Sequence, residues 1–233
     1  MQVFRSDQRG VTRSDWLTSY HSFSFGNYYR DDRNGFSVLR AINDVEVAPE
    51  SGFPTHSQRD MEIFSYVLSG ELAHKDNAGN VVRLPAGEFQ LMSAGSGIRH
   101  SEHNPLAARK LHFLQVWLVP DQEGMVPAYQ QRYLKPSAGI QLVASEDGAD
   151  NSLRLRQNAR IFRVLLDVGQ EANPAVDPGR RYYLHQIKGR MRIDLEGQSE
   201  LVGVGDGAAC EGIAWLRLRA MDEAVEALLL DLP

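Results

Sequence analysis

Apolar residues recur along this chain in short runs, each cut off by glycine, proline, asparagine, aspartate or serine. The run 36–42 stops at Asn43-Asp44, 63–68 stops at Ser69-Gly70, and 111–119 stops at Pro120. Leu72-Ala73-His74-Lys75 leads into Asp76-Asn77-Ala78-Gly79-Asn80, residues that accept the tight dihedrals of a hairpin turn. Short runs with turn signals at such intervals predict an all-β sandwich or barrel. Leu153-Arg154-Leu155-Arg156 alternates with period two, the pattern of a half-exposed strand. The stretch 222–231 is ambiguous, because Glu, Ala and Leu favour helix while Leu228-Leu229-Leu230 suits a buried strand. It is assigned as strand, since it occupies the place that Phe113-Leu114-Gln115-Val116-Trp117 holds in the first half. Between Pro120 and Gly139 the pattern weakens. Three prolines and the polar Tyr129-Gln130-Gln131-Arg132-Tyr133 predict a crossover joining two halves.

The halves carry a weak internal repeat. Gly70 lies 17 residues before Gly87, Gly189 lies 16 before Gly205, and each second glycine precedes an acid, Glu88 or Asp206. Two copies of one β-fold with glycines at its corners give this spacing. Thirteen residues after Gly87 stands His100, whereas thirteen after Gly205 stands Leu218. The first copy therefore carries polar chemistry that the second lacks.

Composition narrows the class without choosing a function. The 233 residues are 42% hydrophobic and 24% charged, which is globular and excludes a disordered or collagen-like chain. The net charge of −5 argues against autonomous binding of nucleic acid. A single cysteine, Cys210, excludes an internal disulfide framework and a Cys-rich zinc site. No signal-peptide core or apolar run long enough to span a bilayer is present, so a soluble cytoplasmic protein without membrane association is expected.

Candidate ligands concentrate in two segments, Phe53-Pro54-Thr55-His56-Ser57-Gln58-Arg59-Asp60-Met61-Glu62 and Gly97-Ile98-Arg99-His100-Ser101-Glu102-His103-Asn104. In an extended chain, residues i and i+2 share a face. His100 and Glu102 then project together, as do His56 and Gln58, with Ser101 and His103 on the opposite side. Two imidazoles and a carboxylate match the facial ligand set of non-haem iron sites and also suit manganese, nickel, copper, zinc or cobalt. His74, His112 and His185 stand alone in strand-like runs and read as structural. Cys210, Phe113 and Trp117 read as core, and Arg59 and Arg99 as solvated or ion-paired.

These segments, with Tyr66-Val67-Leu68-Ser69-Gly70-Glu71 and Pro85-Ala86-Gly87-Glu88-Phe89 between them, resemble the pirin family of the cupin superfamily. The likeness is nearest to the bacterial pirin-like proteins described as quercetin 2,3-dioxygenases. It extends from His21-Ser22-Phe23-Ser24-Phe25 to the terminal Leu230-Asp231-Leu232-Pro233. The resemblance implies two cupin-type β-barrels, or double-stranded β-helices, packed face to face. The first, 1–134, would hold one divalent transition metal, iron foremost; the second, 135–233, would be degenerate. In the family three histidines and a glutamate hold the metal. Matched position by position, His56, His100 and Glu102 occupy three of these places, and Gln58 stands where the second histidine is expected. Glutamine offers a neutral oxygen, a harder and weaker ligand than imidazole for a borderline metal.

The resemblance implies oxidative cleavage of a flavonol such as quercetin, with Glu102 as ligand and proton acceptor. The competing expectation is a binding or regulatory module that acts through a small molecule or a protein partner without turnover. A purely structural β-protein leaves the convergence of ligand types unexplained.

Overall fold

The computed structural model describes residues 1–233. Apart from three-residue 3-10 turns, its regular structure is entirely strand. The chain forms two compact units: Gly10–Leu134 with Leu153–Gln157, and Met1–Arg9 with Lys135–Ser152 and Asn158–Pro233. Two short segments thus lie in the unit opposite to the one that a single cut after Leu134 would give them. For the first segment the cause is strand pairing, since Gln2–Phe4 runs antiparallel to Gly207–Ala209.

In the unit of Gly10–Leu134, a seven-stranded sheet runs in the order Ala128–Tyr133, Glu88–Ser93, Glu62–Ser69, Leu111–Leu118, Leu39–Val47, Leu17–His21, Gly10–Arg13. A second sheet has the order Gly52–Gln58, Ile98–His103, Glu71–Asp76, Val81–Pro85. The other unit repeats the plan. Its larger sheet includes Gln2–Phe4, Gly207–Glu211, Arg181–Lys188, Val225–Leu232, Arg160–Leu166 and Gly139–Ser145 in that order. Its four-stranded sheet runs Glu171–Ala172, Arg217–Ala220, Met191–Leu195, Gln198–Val202. Neither unit closes its sheets into one continuous hydrogen-bonded cylinder; each is an open double sheet of the cupin jelly-roll type. Stretch 222–231 is strand, as expected, within Val225–Leu232.

The repeat is visible at its corners. Gly70 has φ +80° and Gly189 has φ +72°. A Cβ on Gly70 would lie 2.5 Å from the Lys110 carbonyl, and one on Gly189 would lie 2.6 Å from the Ala224 carbonyl. Each carbonyl belongs to the residue just before its unit's long central strand, so both corners demand glycine for the same two reasons.

Register decides what faces the interior. Directly opposed residues of antiparallel strands present their side chains on one face. One such row crosses the first unit's large sheet through His21, Asn43, Gln115, Ser65, Gln90 and Gln131. Every member is polar. Two residues along the strands, the neighbouring row reads Ala41, Trp117, Ile63, Met92, Tyr129. On the other side lie Val45, Phe113 and Val67, which belong to an apolar cluster with Leu72, Leu84 and Leu111. A polar stripe thus crosses a wall that is otherwise mostly apolar, Ser19 and Thr12 excepted.

Two expectations need correction. Tyr129–Tyr133 is not a crossover but part of the edge strand Ala128–Tyr133, paired with Glu88–Ser93. Its polarity reflects an edge position, where one side of the strand is not covered by another. The alternation at 153–156 is real in burial, but only Leu153–Arg154 is strand, and the segment belongs to the first unit, where Arg156 N–H donates to Glu62.

Candidate metal centre

Ile98–His103 lies between Gly52–Gln58 and Glu71–Asp76 in the small sheet. The alternation read from sequence holds: Ile98, His100 and Glu102 are buried, whereas Arg99 and His103 are exposed and Ser101 is half-buried. Pairing brings His56 and Asp76 opposite His100, His74 opposite Glu102 and Gln58 opposite Ile98, with a bulge between His100 and Glu102 on the Gly52–Gln58 side.

Ligand atoms of His74, His100 and Glu102 lie within 4.8 Å of one another, and all three side chains are buried. This trio can hold a metal ion. The rings of His56 and His100 have centroids 4.4 Å apart, and those of His74 and His100 are 5.5 Å apart. His56 and Gln58 are half-buried and line the adjoining cavity together with Glu102.

Hydrogen bonding fixes which lone pairs are on offer. Asp76 can only accept, so the 3.0 Å contact to His74 places the proton on Nε2 and leaves the Nδ1 lone pair, which is buried without a hydrogen-bond partner. A carboxylate holding the far nitrogen of an imidazole is the usual support of a metal-ligating histidine. The Pro54 carbonyl accepts from His56 Nδ1 at 2.9 Å, so Nε2 carries the lone pair there. His100 has both ring nitrogens buried and unpartnered. A buried imidazole with neither nitrogen satisfied is costly, and a metal at one of them would relieve part of that cost. The donor set therefore fits a borderline transition metal.

Glu102 is held from behind by the polar stripe. Gln90 donates to its Oε1 at 2.7 Å and Gln115 to its Oε2 at 3.0 Å. These glutamines are themselves oriented: Tyr129 donates to Gln90 at 3.1 Å and the Trp117 indole donates to Gln115 at 2.8 Å. Each amide is thereby turned with its nitrogen toward the carboxylate. Burial pushes the His100 imidazole down to about 4; Glu102 pulls the other way, while His56 and His74 add to the effect of burial. His100 is therefore neutral at pH 7 and ready to bind a cation. Burial, then the carboxylates of Glu102 and Asp76, raise the Tyr129 phenol and keep it protonated as a donor. Its ring stacks on His74 with centroids 4.7 Å apart.

A cavity of about 460 Å³ adjoins the centre, within the ~300–1,000 Å³ range of small-molecule sites. Phe25, Phe113 and Trp117 form apolar wall, and Thr12, Ser19, His21 and Asn43 add polar groups. Phe113 and Trp117, expected in the core, thus also face the cavity. His74, expected to be structural, lies beside His100 and Glu102 as the third member of the buried trio that could hold a metal. Its signal was the His74-x-Asp76 spacing, the same i, i+2 pairing that singled out His100-x-Glu102. His112 does hold a structural bond, to Asp44 at 2.6 Å, and Cys210 is buried, its thiol pushed up to about 11 by burial.

The fold and centre define a two-domain cupin protein with a metal-capable site in its first domain. Comparison with known proteins agrees. The Pirin family model matches residues 4–118, and that of the quercetinase C-terminal cupin domain matches 142–232. The chain is 40% identical over 229 residues to quercetin 2,3-dioxygenase of Escherichia coli K12, covering 98% of this chain and 97% of that protein. It is 35% identical over 230 residues to a pirin-like protein of Caulobacter vibrioides, covering 97% and 96% respectively. The crystal structure of the bacterial pirin YhhW from Escherichia coli in complex with nickel(II) matches with a TM-score of 0.94 at 40% identity, covering 100% of this chain and 98% of that one. This chain belongs to the pirin family. No helix in it is long and apolar enough to cross a membrane.

Proposed function

We propose that this protein is a metal-dependent dioxygenase that opens quercetin-like flavonols in the cavity beside His100 and Glu102. The observation that carries the proposal is His100, whose two buried ring nitrogens lack partners beside His56 and Glu102, which line the cavity. The names of the relatives supply the substrate class, and nickel, present in the Escherichia coli pirin, is the first metal to test, with iron next. A divalent metal in this centre supplies Lewis acidity toward the ionised 3-hydroxyl of the flavonol. The overall reaction consumes one dioxygen and releases carbon monoxide as the central ring opens.

The chain's own residues bind, orient and exclude water. His56, His74, His100 and Glu102 make up the ligand set, and His74 supplies the imidazole that position 58 lacks. Gln58 is a weak ligand or a hydrogen-bonding group at the edge of the centre. Gln90 and Gln115 hold Glu102 in place, so that its carboxylate can take the 3-hydroxyl proton without rotating away. Phe25, Phe113 and Trp117 pack on the flat faces of the ligand and keep water from it. With its one cysteine buried and no disulfide in use, the protein suits a reducing cytoplasm.

The test is metal content of protein purified without a tag or added metal, followed by loss of quercetin absorbance under oxygen. Retained metal with oxygen-dependent turnover, both abolished in Glu102→Ala, supports the enzyme. Retained metal and quercetin binding with turnover at background support the second reading, a flavonol-binding or regulatory module. Gln58 is what favours that second reading, because it replaces an expected imidazole.

A further inference from the structure

The cavity has a second polar station, away from the metal centre. On the polar stripe, Asn43 stands between Gln115 and His21, so two interstrand steps, about 10 Å, separate the His21 and Gln115 positions. The His21 imidazole is 2% exposed and both its nitrogens are engaged. Nδ1 lies 2.7 Å from Asn43 Oδ1, and Nε2 lies 2.9 Å from the Thr12 hydroxyl. An amide oxygen can only accept, so the proton is on Nδ1 and Nε2 is an acceptor. The Thr12 hydroxyl must then spend its single proton on His21. What Thr12 has left to offer the cavity is its oxygen lone pairs. Phe25 stacks on His21 with ring centroids 5.3 Å apart and meets Trp117 edge-on at 5.1 Å, so the imidazole is braced on the cavity side.

We infer that Thr12, oriented by His21 and Asn43, is a dedicated hydrogen-bond acceptor that fixes the far end of the aromatic ligand and selects ligands carrying a phenolic hydroxyl there. Thr12 is the specificity residue, and His21 and Asn43 are positioning residues that act through it. The inference rests on the flavonol reading above and sharpens it: a flat ligand must place one oxygen at the metal centre and a donor hydroxyl at the cavity mouth beside Thr12, on the strand beyond His21. A ligand with bare or O-methylated distal rings has nothing to donate and leaves the acceptor unpaired. Thr12 is exposed at the cavity mouth, so replacing it does not open the core.

The experiment titrates nickel-loaded protein with quercetin and with 3-hydroxyflavone, following quenching of tryptophan fluorescence. The second ligand keeps the metal-facing 3-hydroxyl and 4-carbonyl and lacks every ring hydroxyl. Wild type is expected to prefer quercetin by roughly tenfold, the scale of one well-placed hydrogen bond. Thr12→Val removes the acceptor at nearly constant volume and should bring quercetin down to the level of 3-hydroxyflavone, whose own affinity stays put. Thr12→Ser should keep the preference, and His21→Phe should lose it while retaining the stack on Phe25. Equal affinity of wild type for both ligands, or a Thr12→Val loss shared equally between them, overturns the inference and leaves the flavonol reading standing. Binding of neither ligand by wild type overturns both.

Discussion

The two units of this chain share a plan and differ at nearly every position that could carry chemistry. In the first, the row across the large sheet reads Gln131, Gln90, Ser65, Gln115, Asn43, His21. In the second, the corresponding row reads Val3, Ala208, Leu184, Leu229, Phe162, Leu142. The small sheets differ in the same way. Counting from Gly70 and Gly189, His74 and Asp76 correspond to Ile193 and Leu195. The pair His56–His100 corresponds to Ala172–Leu218, and Glu102 to Ala220. Hairpins, glycine corners and the register of this large-sheet row are common to both units, so the backbone alone does not make the site. What makes it is one polar stripe with enough amides to support a buried carboxylate. Without the stripe, the same interior packs as a continuous apolar cluster around Leu184, Ile193, Leu218 and Leu229.

The harshest way to break the comparison is to put the carboxylate into the unit that lacks the stripe. Ala220→Glu would bury an acid opposite Met191, with alanine and leucine where Gln90 and Gln115 stand in the first unit. A cost of about 3–5 kcal/mol is expected, read by urea denaturation, with no gain in metal content. If the variant were as stable as wild type, support from the stripe would not be what permits Glu102. The reverse change, Glu102→Leu, should reduce bound metal below about a tenth of an equivalent, because it removes the one anionic member of the trio that could hold the ion. Its stability cost should be smaller, about 1–3 kcal/mol, arising from the stranded Gln90 and Gln115 amides.

Ligand substitutions come next in size. Gln58→His should tighten nickel binding roughly ten- to a hundredfold, or about 1.4–2.8 kcal/mol, measured by competition with a chelator. An unchanged affinity would mean that position 58 does not reach the ion. His74→Phe keeps a ring against Tyr129 and should weaken nickel roughly tenfold or more. No loss there would return His74 to a structural role.

A separate effect is on pH dependence. His100 titrates near 4 in the folded protein and at about 6.5 when unfolded. Between those values the unfolded chain holds the extra proton, so metal-free protein loses stability as pH falls from about 6.5 to 4, with no further loss from this group below. Leu218 cannot contribute such a slope to the second unit. His100→Leu should therefore flatten this part of the profile, checked by denaturation at pH 7 and pH 5.

Much of this was legible in the residues. Turn-punctuated apolar runs identify a β-fold, and the unequal glycine pairs identify a repeat with one polar copy. The i, i+2 rule puts His100 and Glu102 on one inward face. What stayed hidden depends on pairing between distant strands. His74 is 26 residues from His100 and reaches it only because Glu71–Asp76 pairs with Ile98–His103. The stripe is harder still: His21, Asn43, Ser65, Gln90, Gln115 and Gln131 come from six strands, and each alone is an unremarkable polar residue. The edge strand Ala128–Tyr133 escapes the pattern because a polar strand with few apolar neighbours looks like a linker.

The exchange of Met1–Arg9 into the other unit separates the order of synthesis from the order of folding. Gln2–Phe4 has no partner until Gly207–Ala209 exists, some two hundred residues later, on the order of 10–40 s at ribosomal speeds of about 5–20 residues per second. Most of the metal-capable unit can assemble during that interval, while Gln2–Phe4 waits for its partner strand. A ribosome-bound nascent chain arrested before residue 207 should therefore leave residues 1–9 open to proteolysis after the site itself has formed.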